Sequence, residues 1–301
     1  MHGLSHRFLH VSGPCPFSGR ESPYEDARYV VLGVPYDRTS TYRSGSKFAP
    51  AAIREASANI ETYSMRTGVD VEDLKICDLG DLNVTDSPSE TIERIRLVVG
   101  EIISDGKIPV MLGGEHSISL GGVKATGKDA TVVDFDAHMD LRDGYNGEPL
   151  SHAAVMRRIA EHIGPERIVQ IGTRAVCKEE LEFAKANHVS GITALQLHKN
   201  PMENSLGLLR EMLRGRRQIY LTVDMDVLDP AYAPAVGNPE PEGLSSNVLL
   251  SLLEEVCKLN VIAVDLTEVS PHYDTGATAV QATKVLFEVL CLTEQRRRNV
   301  R

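Results

Sequence analysis

The chain has 301 residues, 42% hydrophobic and 25% charged, with no Trp and six Phe, an ordinary globular composition able to bury a sizeable core. Its formal net charge of -10 argues against nucleic-acid and acidic-membrane partners and suits a small cationic substrate. Five scattered cysteines without a Cys-x-x-Cys pair read as reduced thiols, residues 1–10 lack the apolar core of a secretory signal, and no run reaches a membrane span of ~20 apolar residues, so a soluble cytoplasmic protein is expected.

From Tyr29 onward, short apolar, β-branched runs alternate with helical patterns. Residues 29–33 and 74–78 predict the first strands, and a helix follows over 91–104, starting just after Pro88. Strands are predicted at 108–112, 131–135, 168–171 and, weakly, 191–193, then a helix at 202–214. The strand 219–223, the helix 246–259, the strand 261–264 and the helix 277–294 complete the order. Strands alternating with helices form a parallel sheet, and strands apolar on both sides imply helices over both faces. No repeat, low-complexity tract or linker divides the chain, so residues 1–301 are read as one domain.

Three strand ends carry polar chemistry. Asp134-Phe-Asp-Ala-His-Met-Asp140 sets Asp136, His138 and Asp140 two residues apart directly after an apolar run. All three point the same way if the extended geometry continues to Asp140. Alone, the triplet reads equally well as a solvated acidic turn. However, Gln218-Ile-Tyr-Leu-Thr-Val-Asp224-Met-Asp226 also ends in two carboxylates, and the run 107–112 ends in Gly113-Gly-Glu-His-Ser117, with a histidine where strand turns to helix. Ligands of open parallel sheets lie beyond the carboxyl ends of the strands, which places these residues on one edge. The segment from Leu228 to Gly243 has four prolines, two glycines and no periodicity; it reads as a long rigid loop walling a pocket. The basic tail, Arg296-Arg-Arg298 and Arg301, reads as a solvated helix terminus.

The strand ends together offer His116, His138, Asp136, Asp140, Asp224 and Asp226. Burying about four unpaired negative charges would cost many kcal/mol or force protonation, whereas two divalent cations neutralise them. Six side chains serve two such ions if some carboxylates bridge and water completes the shells. Oxygen and nitrogen donors without thiolate favour Mn²⁺ or Mg²⁺ over structural Zn²⁺, and the imidazoles favour Mn²⁺.

Gly113-Gly-Glu-His-Ser117, Asp136-Ala-His-Met-Asp140 and Thr222-Val-Asp-Met-Asp-Val-Leu-Asp-Pro230 together resemble the three signatures of the ureohydrolase family of arginases, agmatinases and their relatives. The resemblance implies a three-layer α/β/α sandwich with a mostly parallel, about eight-stranded sheet, homo-oligomers (trimers or hexamers), two Mn²⁺ per subunit, and urea released from a guanidinium substrate. It assigns His116, Asp136, Asp140 and Asp224 to one ion and Asp136, His138, Asp224 and Asp226 to the other, with Asp136 and Asp224 bridging. Glu115 stands where the family usually has Asp and is expected behind the ligands. Asp134 falls outside the ligand set and is read as a paired core or rim carboxylate.

A water held between two divalent ions ionises near neutral pH, which suits attack on a guanidinium carbon. The leaving amine then needs a proton and the guanidinium a carboxylate. Glu268, in Val264-Asp-Leu-Thr-Glu-Val-Ser-Pro271, resembles the family glutamate that grips the guanidinium. His152, in Leu150-Ser-His-Ala-Ala154, resembles the family histidine of proton transfer or substrate contact, with Ala153 where many relatives have Gly. The expected catalytic residues are His152, Glu268 and Asp136, and the expected substrate contacts Glu268, His152 and Asn146. His272 is a candidate pocket wall. His2, His6, His10, His162, His188 and His198 read as surface or core groups.

Arginases carry Asn and Ser donors after the Asp-Ala-His-x-Asp motif, whereas residues 141–152 are similar to agmatinases. So are Gly33-Val-Pro-Tyr-Asp37, Gly237-Asn-Pro-Glu-Pro241 and Gly243-Leu244, although Asn238 and Glu242 replace a more usual Thr and Gly. The expected reaction is agmatine to putrescine and urea, with aminopropylagmatine and guanidinobutyrate as competing substrates and arginine behind them. The alternative of another class is a scaffold that binds metal or a partner without catalysis.

Overall fold

The structure, a computed structural model, describes residues 6, 10–12, 16–19 and 21–300; His2, Cys15 and Arg301 lie outside them. Its strands are β1 (Val11–Ser12), β2 (Tyr29–Gly33), β3 (Tyr63–Ser64), β4 (Val69–Asp70), β5 (Ile76–Leu82), β6 (Ile108–Leu112), β7 (Thr131–Phe135), β8 (Ile168–Ile171), β9 (Ser190–Ile192), β10 (Gln218–Asp224) and β11 (Asn260–Thr267). β3 and β4 form a small antiparallel ladder. The other nine make one sheet in the order β1-β5-β2-β6-β11-β10-β7-β8-β9. Only β1 runs antiparallel, so eight parallel strands form the expected sheet.

Side chains of alternate parity enter two separate cores. Val110, Leu112, Val133, Phe135, Leu221 and Val223 pack with the helices Ala49–Ser57, Met202–Leu213, Ser246–Val256 and Ala277–Val300. Met111, Val132 and Tyr220 face the opposite way, onto Pro88–Ser104, Ser119–Thr126 and Val155–Ile163. Each fully buried Val, Leu or Ile contributes ~1.5–3 kcal/mol, and this two-sided demand explains why the strands read as continuous apolar runs. Helix Pro88–Ser104 starts where expected: Pro88 occupies its first turn, and the Ser87 hydroxyl accepts the Glu90 N–H at 3.4 Å. No helix among the described residues is long and apolar enough to cross a membrane.

The sequence did not indicate β1, β3 and β4, the strand expected at 261–264 extends over Asn260–Thr267, and another strand is shifted. The predicted 74–78 is observed as Ile76–Leu82, because the buried Arg54 guanidinium satisfies its polar half, donating to Asp78 at 2.7 Å, Asp81 at 2.6 Å and the Gly80 carbonyl at 3.0 Å. An ion pair formed from a distant helix leaves no periodicity in the strand.

The topology places the site. β6 and β7 are consecutive in the chain, yet β11 and β10 return last and insert between them. The carboxyl ends of four adjacent strands thus deliver His116, Glu268, Asp224 and Asp136 side by side, where a sheet of this kind binds its ligand.

Candidate metal centre and active site

The ligand-like side chains converge by local turns rather than by strand alternation. β7 ends at Phe135, and Asp140 has left-handed backbone (φ 51), so the extended geometry does not persist through the motif. Asp136 turns the chain by accepting the His138 N–H at 2.7 Å. Asp224 ends β10 and accepts the Asp226 N–H at 2.9 Å, placing Asp226 in the 3-10 turn Met225–Val227. Short polar side chains close such turns readily.

His116 Nδ1 lies 3.0 Å from Asp136 Oδ2, 3.2 Å from Asp140 Oδ2 and 3.5 Å from Asp224 Oδ2. His138 Nδ1 lies 2.9 Å from Asp226 Oδ2 and 3.5 Å from Asp136 Oδ1. Two compact groups result, His116/Asp136/Asp224 and Asp136/His138/Asp226, sharing Asp136. Asp224 stands with the first group alone, and Asp140 touches it through His116.

These residues fit metal. Buried Asp136 Oδ2 has no aligned hydrogen bond although His116 Nδ1 is close. Burial pushes Asp140 up to about 7, and burial with the Asp226 charge raises Asp224 well above the usual range. Burial would raise Asp136 too, but His116 and His138 hold it below the ordinary value. Burial opposes charge on both histidines, yet the carboxylates around them hold both well above theirs. The cluster draws positive charge to its centre.

Behind the cluster, His116 Nε2 meets the Thr222 hydroxyl at 3.0 Å, and Thr222 bonds the buried Asp265. With Nδ1 turned to the carboxylates, this contact fixes the ring as outer partners fix a ligating histidine. Asp134 is buried, bonded by Gln170 Nε2 at 3.0 Å, with Oδ1 3.8 Å from His116 Nε2.

Glu268 enters from β11 with left-handed backbone (φ 65) and accepts the His116 N–H at 2.9 Å. Burial and the nearby Glu115 charge push it up to about 8. Gly237 faces it so closely that a Cβ there would sit 2.6 Å from Glu268 Oε2. His152 is buried, and burial together with charge on His138 and His116 lowers it to about 4. Its Nδ1 lies 3.1 Å from Thr39 Oγ1, which also accepts the His152 N–H at 2.9 Å. Thr39 in turn bonds Glu115. His116, His138, Asp140, His152, Asp224, Asp226 and Glu268 line one cavity of about 460 Å³, with Arg142, Tyr145, Asn238 and Glu240 on its wall.

A buried carboxylate set beside two histidine–carboxylate groups that share an aspartate agrees with comparison to known proteins. Residues 27–292 match the model of the Arginase family. The chain belongs to the arginase family. It is 38% identical to the agmatinase of Bacillus subtilis over 91% of this chain and 94% of that one. It is 36% identical to the N(1)-aminopropylagmatine ureohydrolase of Thermococcus kodakarensis, over 87% of this chain and 90% of that one. The solved agmatine ureohydrolase of Thermoplasma volcanium is 42% identical, with a TM-score of 0.87, covering 92% of this chain and 94% of that one. The protein is an agmatinase-like ureohydrolase acting on agmatine or a related guanidino compound. The arginase family is metal-dependent, and the two groups sharing Asp136 are the candidate places for metal.

Against this arginase-family frame, two expected residues stand apart. Asn146 is exposed at the tip of the Tyr145–Glu148 turn, with φ 52, and lines a neighbouring depression rather than the central cavity. His272 is exposed and packs on the Phe48 ring at 4.7 Å, away from the central cavity. Glu242, where the agmatinase resemblance implies Gly, has φ 60, the conformation that glycine adopts most easily.

Two residues were missed. Thr39 follows the agmatinase-like 33–37 segment but carries no ligand spacing. Arg174 donates to the carbonyls of Asp226 at 2.7 Å, Glu240 at 2.8 Å, Pro241 at 2.9 Å, Gly172 and Val227 at 3.2 Å, and Leu228 at 3.3 Å. It pins the proline-rich wall to the second carboxylate group. An arginine three residues past a predicted strand end was the available signal.

Proposed function

We propose that this protein hydrolyses agmatine to putrescine and urea, with two Mn²⁺ per subunit held by His116, Asp136, Asp140, Asp224, His138 and Asp226. The observation that carries this reading is the tie between Glu268 and His116: a buried carboxylate shares one hydrogen bond with a candidate ligand, inside a cavity that those ligands line. Ions bound there would supply an activated water and offset the clustered negative charge. Glu268 receives the guanidinium as a charge-assisted, two-oxygen partner and fixes its carbon over the ligand groups. His152, neutral and tied at Nδ1, offers its bare Nε2 to take a proton from the adding water and pass it to the departing alkylamine nitrogen. Water adds to the guanidinium carbon, the bond to that nitrogen breaks, and urea and putrescine leave.

The likeness to Bacillus subtilis agmatinase supports agmatine. Arg142, on the cavity wall and 5.1 Å from the Tyr145 ring centre, favours a second reading in which a carboxylate-tailed compound such as guanidinobutyrate binds. The Thermococcus kodakarensis relative supports a third substrate, aminopropylagmatine. Urea release with Mn²⁺ across agmatine, aminopropylagmatine, guanidinobutyrate and arginine decides among them. Agmatine turned over no better than arginine refutes the assignment, an Asp136→Asn variant with full urea release would remove Asp136 from the chemistry, and no urea from any of the four would point to a scaffold without catalysis.

We further read residues 1–301 as one ureohydrolase domain that assembles as a trimer or hexamer, which sedimentation tests. A cytoplasmic location fits the free thiols of Cys77, Cys177, Cys257 and Cys291. Recovery of the native protein chiefly from a secreted or membrane fraction would contradict it.

A further inference from the structure

The hydrogen bonds around His152 favour one ring tautomer. Glu115 is fully buried and receives four donors: the Thr39 and Ser40 N–H groups at 2.6 and 3.2 Å on Oε2, and the Thr39 and Ser117 hydroxyls at 2.7 and 2.5 Å on Oε1. The two backbone donors on Oε2 cannot reverse; burial raises Glu115 above the ordinary carboxylate range, the Ser117 and Thr39 donors pull it back, and with all four groups donating it is an accepting carboxylate. Thr39 has one hydroxyl proton, and Glu115 takes it. Toward His152, the same oxygen can then only accept, and it already accepts the His152 N–H at 2.9 Å. A bare Nδ1 at 3.1 Å would face it lone pair to lone pair, whereas an Nδ1–H completes the oxygen's shell. Ser151 Oγ, 3.3 Å from Nδ1, is the sole competing hydroxyl among the hydrogen bonds described for this ring.

We propose that Thr39, oriented by Glu115, is a positioning residue that holds His152 as the Nδ1–H tautomer, leaving Nε2 unprotonated toward the substrate. The arrangement repeats across the cavity, where His116 Nε2 meets Thr222 and Thr222 meets Asp265. In both places a threonine hydroxyl stands between an imidazole and a buried carboxylate, relaying the carboxylate's demand for a donor into a choice of ring nitrogen. Only the kinetic consequence rests on the reading of the site as a guanidino hydrolase.

The test is ¹⁵N–¹H correlation of histidine-labelled, metal-free protein, with the His152 ring signals assigned by their loss in His152→Asn. The wild type should show a protonated Nδ1 and an unprotonated Nε2. Thr39→Val should mix or invert the tautomers, while Thr39→Ser keeps the wild-type pattern and Ser151→Ala leaves it unchanged. In the Mn²⁺-loaded enzyme, Thr39→Val should lower kcat for agmatine by about 10–100-fold, the usual effect of losing an outer partner, with KM within about threefold; Thr39→Ser should restore most of the rate. A wild-type ring protonated on Nε2, or a Thr39→Val ring unchanged in tautomer, overturns the proposal even if the protein folds and turns over. An Nδ1–H wild-type ring in a protein that releases urea from none of the four guanidino compounds would overturn the hydrolase reading and leave the tautomer assignment standing.

Discussion

Glu268 and His116 are joined at 2.9 Å by carboxylate and backbone N–H, and the strands behind them are locked in register. β11 pairs β6 with Leu266 opposite Leu112, the Gly113 N–H reaches the Leu266 carbonyl at 2.7 Å, and the Glu268 N–H reaches the Gly114 carbonyl at 2.8 Å. The group proposed to grip the substrate and a group proposed to hold metal therefore move as one unit.

That unit separates charge from architecture. Glu268→Gln keeps an oxygen to accept from His116 but loses the negative charge. Its kcat/KM for agmatine should fall about 100-fold or more, roughly 3 kcal/mol of transition-state binding, with Mn²⁺ affinity within a few-fold of wild type. Steady-state kinetics beside metal titration calorimetry checks this, and an unchanged kcat/KM would remove Glu268 from the substrate's path.

Gly237 offers a gentler perturbation of the same carboxylate. A Cβ there would stand 2.6 Å from Glu268 Oε2, too close for contact but against the far end of a side chain. Gly237→Ala should fold with its melting temperature within a few degrees of wild type while urea release drops about tenfold or more, because a small displacement of a positioning group is costly in rate. Full activity would show that Glu268 tolerates displacement.

Arg174 should act on stability more than on chemistry. Its guanidinium serves six carbonyls between Gly172 and Pro241, and Arg174→Met would strand several of them half-buried. A loss of about 2–4 kcal/mol is expected, with faster proteolysis within residues 228–243. Limited digestion followed by mass spectrometry locates the cuts, and a wild-type digestion pattern would contradict the role.

The metal-free protein should lose stability as pH rises above neutrality. Glu268 titrates near 8 and Asp140 near 7 when folded, against ordinary values of 4.5 and 3.8. The native chain thus holds protons that the unfolded chain has released, and stability falls with rising pH up to the folded values. His152 runs oppositely, from 6.5 down to about 4, so its effect is complete below neutrality. Calorimetry of stripped protein should show the melting temperature about 4 °C or more lower at pH 8.5 than at 6.5, and saturating Mn²⁺ should shrink or reverse the difference. A stripped protein more stable at the higher pH would contradict the assignment.

The sheet was largely legible because its strands are buried on both faces; 29–33, 108–112, 131–135 and 168–171 appear with the boundaries their apolar runs indicate. The expected strand stopped short of Leu82 because Asp78 and Asp81 are paired by Arg54, a partner no local pattern announces. The six ligand candidates were legible as residue types at strand ends, but the alternation invoked to align them was not the cause, since Asp140 turns into left-handed backbone. Asn146 looked suitable in a matching segment, yet its turn faces another depression. Thr39 and Arg174 act through hydroxyl and backbone contacts made across the fold, which spacing along the chain does not encode.

Metal-dependent cleavage of a guanidinium group is tested most directly by urea release from agmatine as Mn²⁺ is titrated into stripped protein. The expected result is negligible release without metal and a rate that saturates near two equivalents per chain. Undiminished release from stripped protein, or none at any Mn²⁺ level, would contradict it.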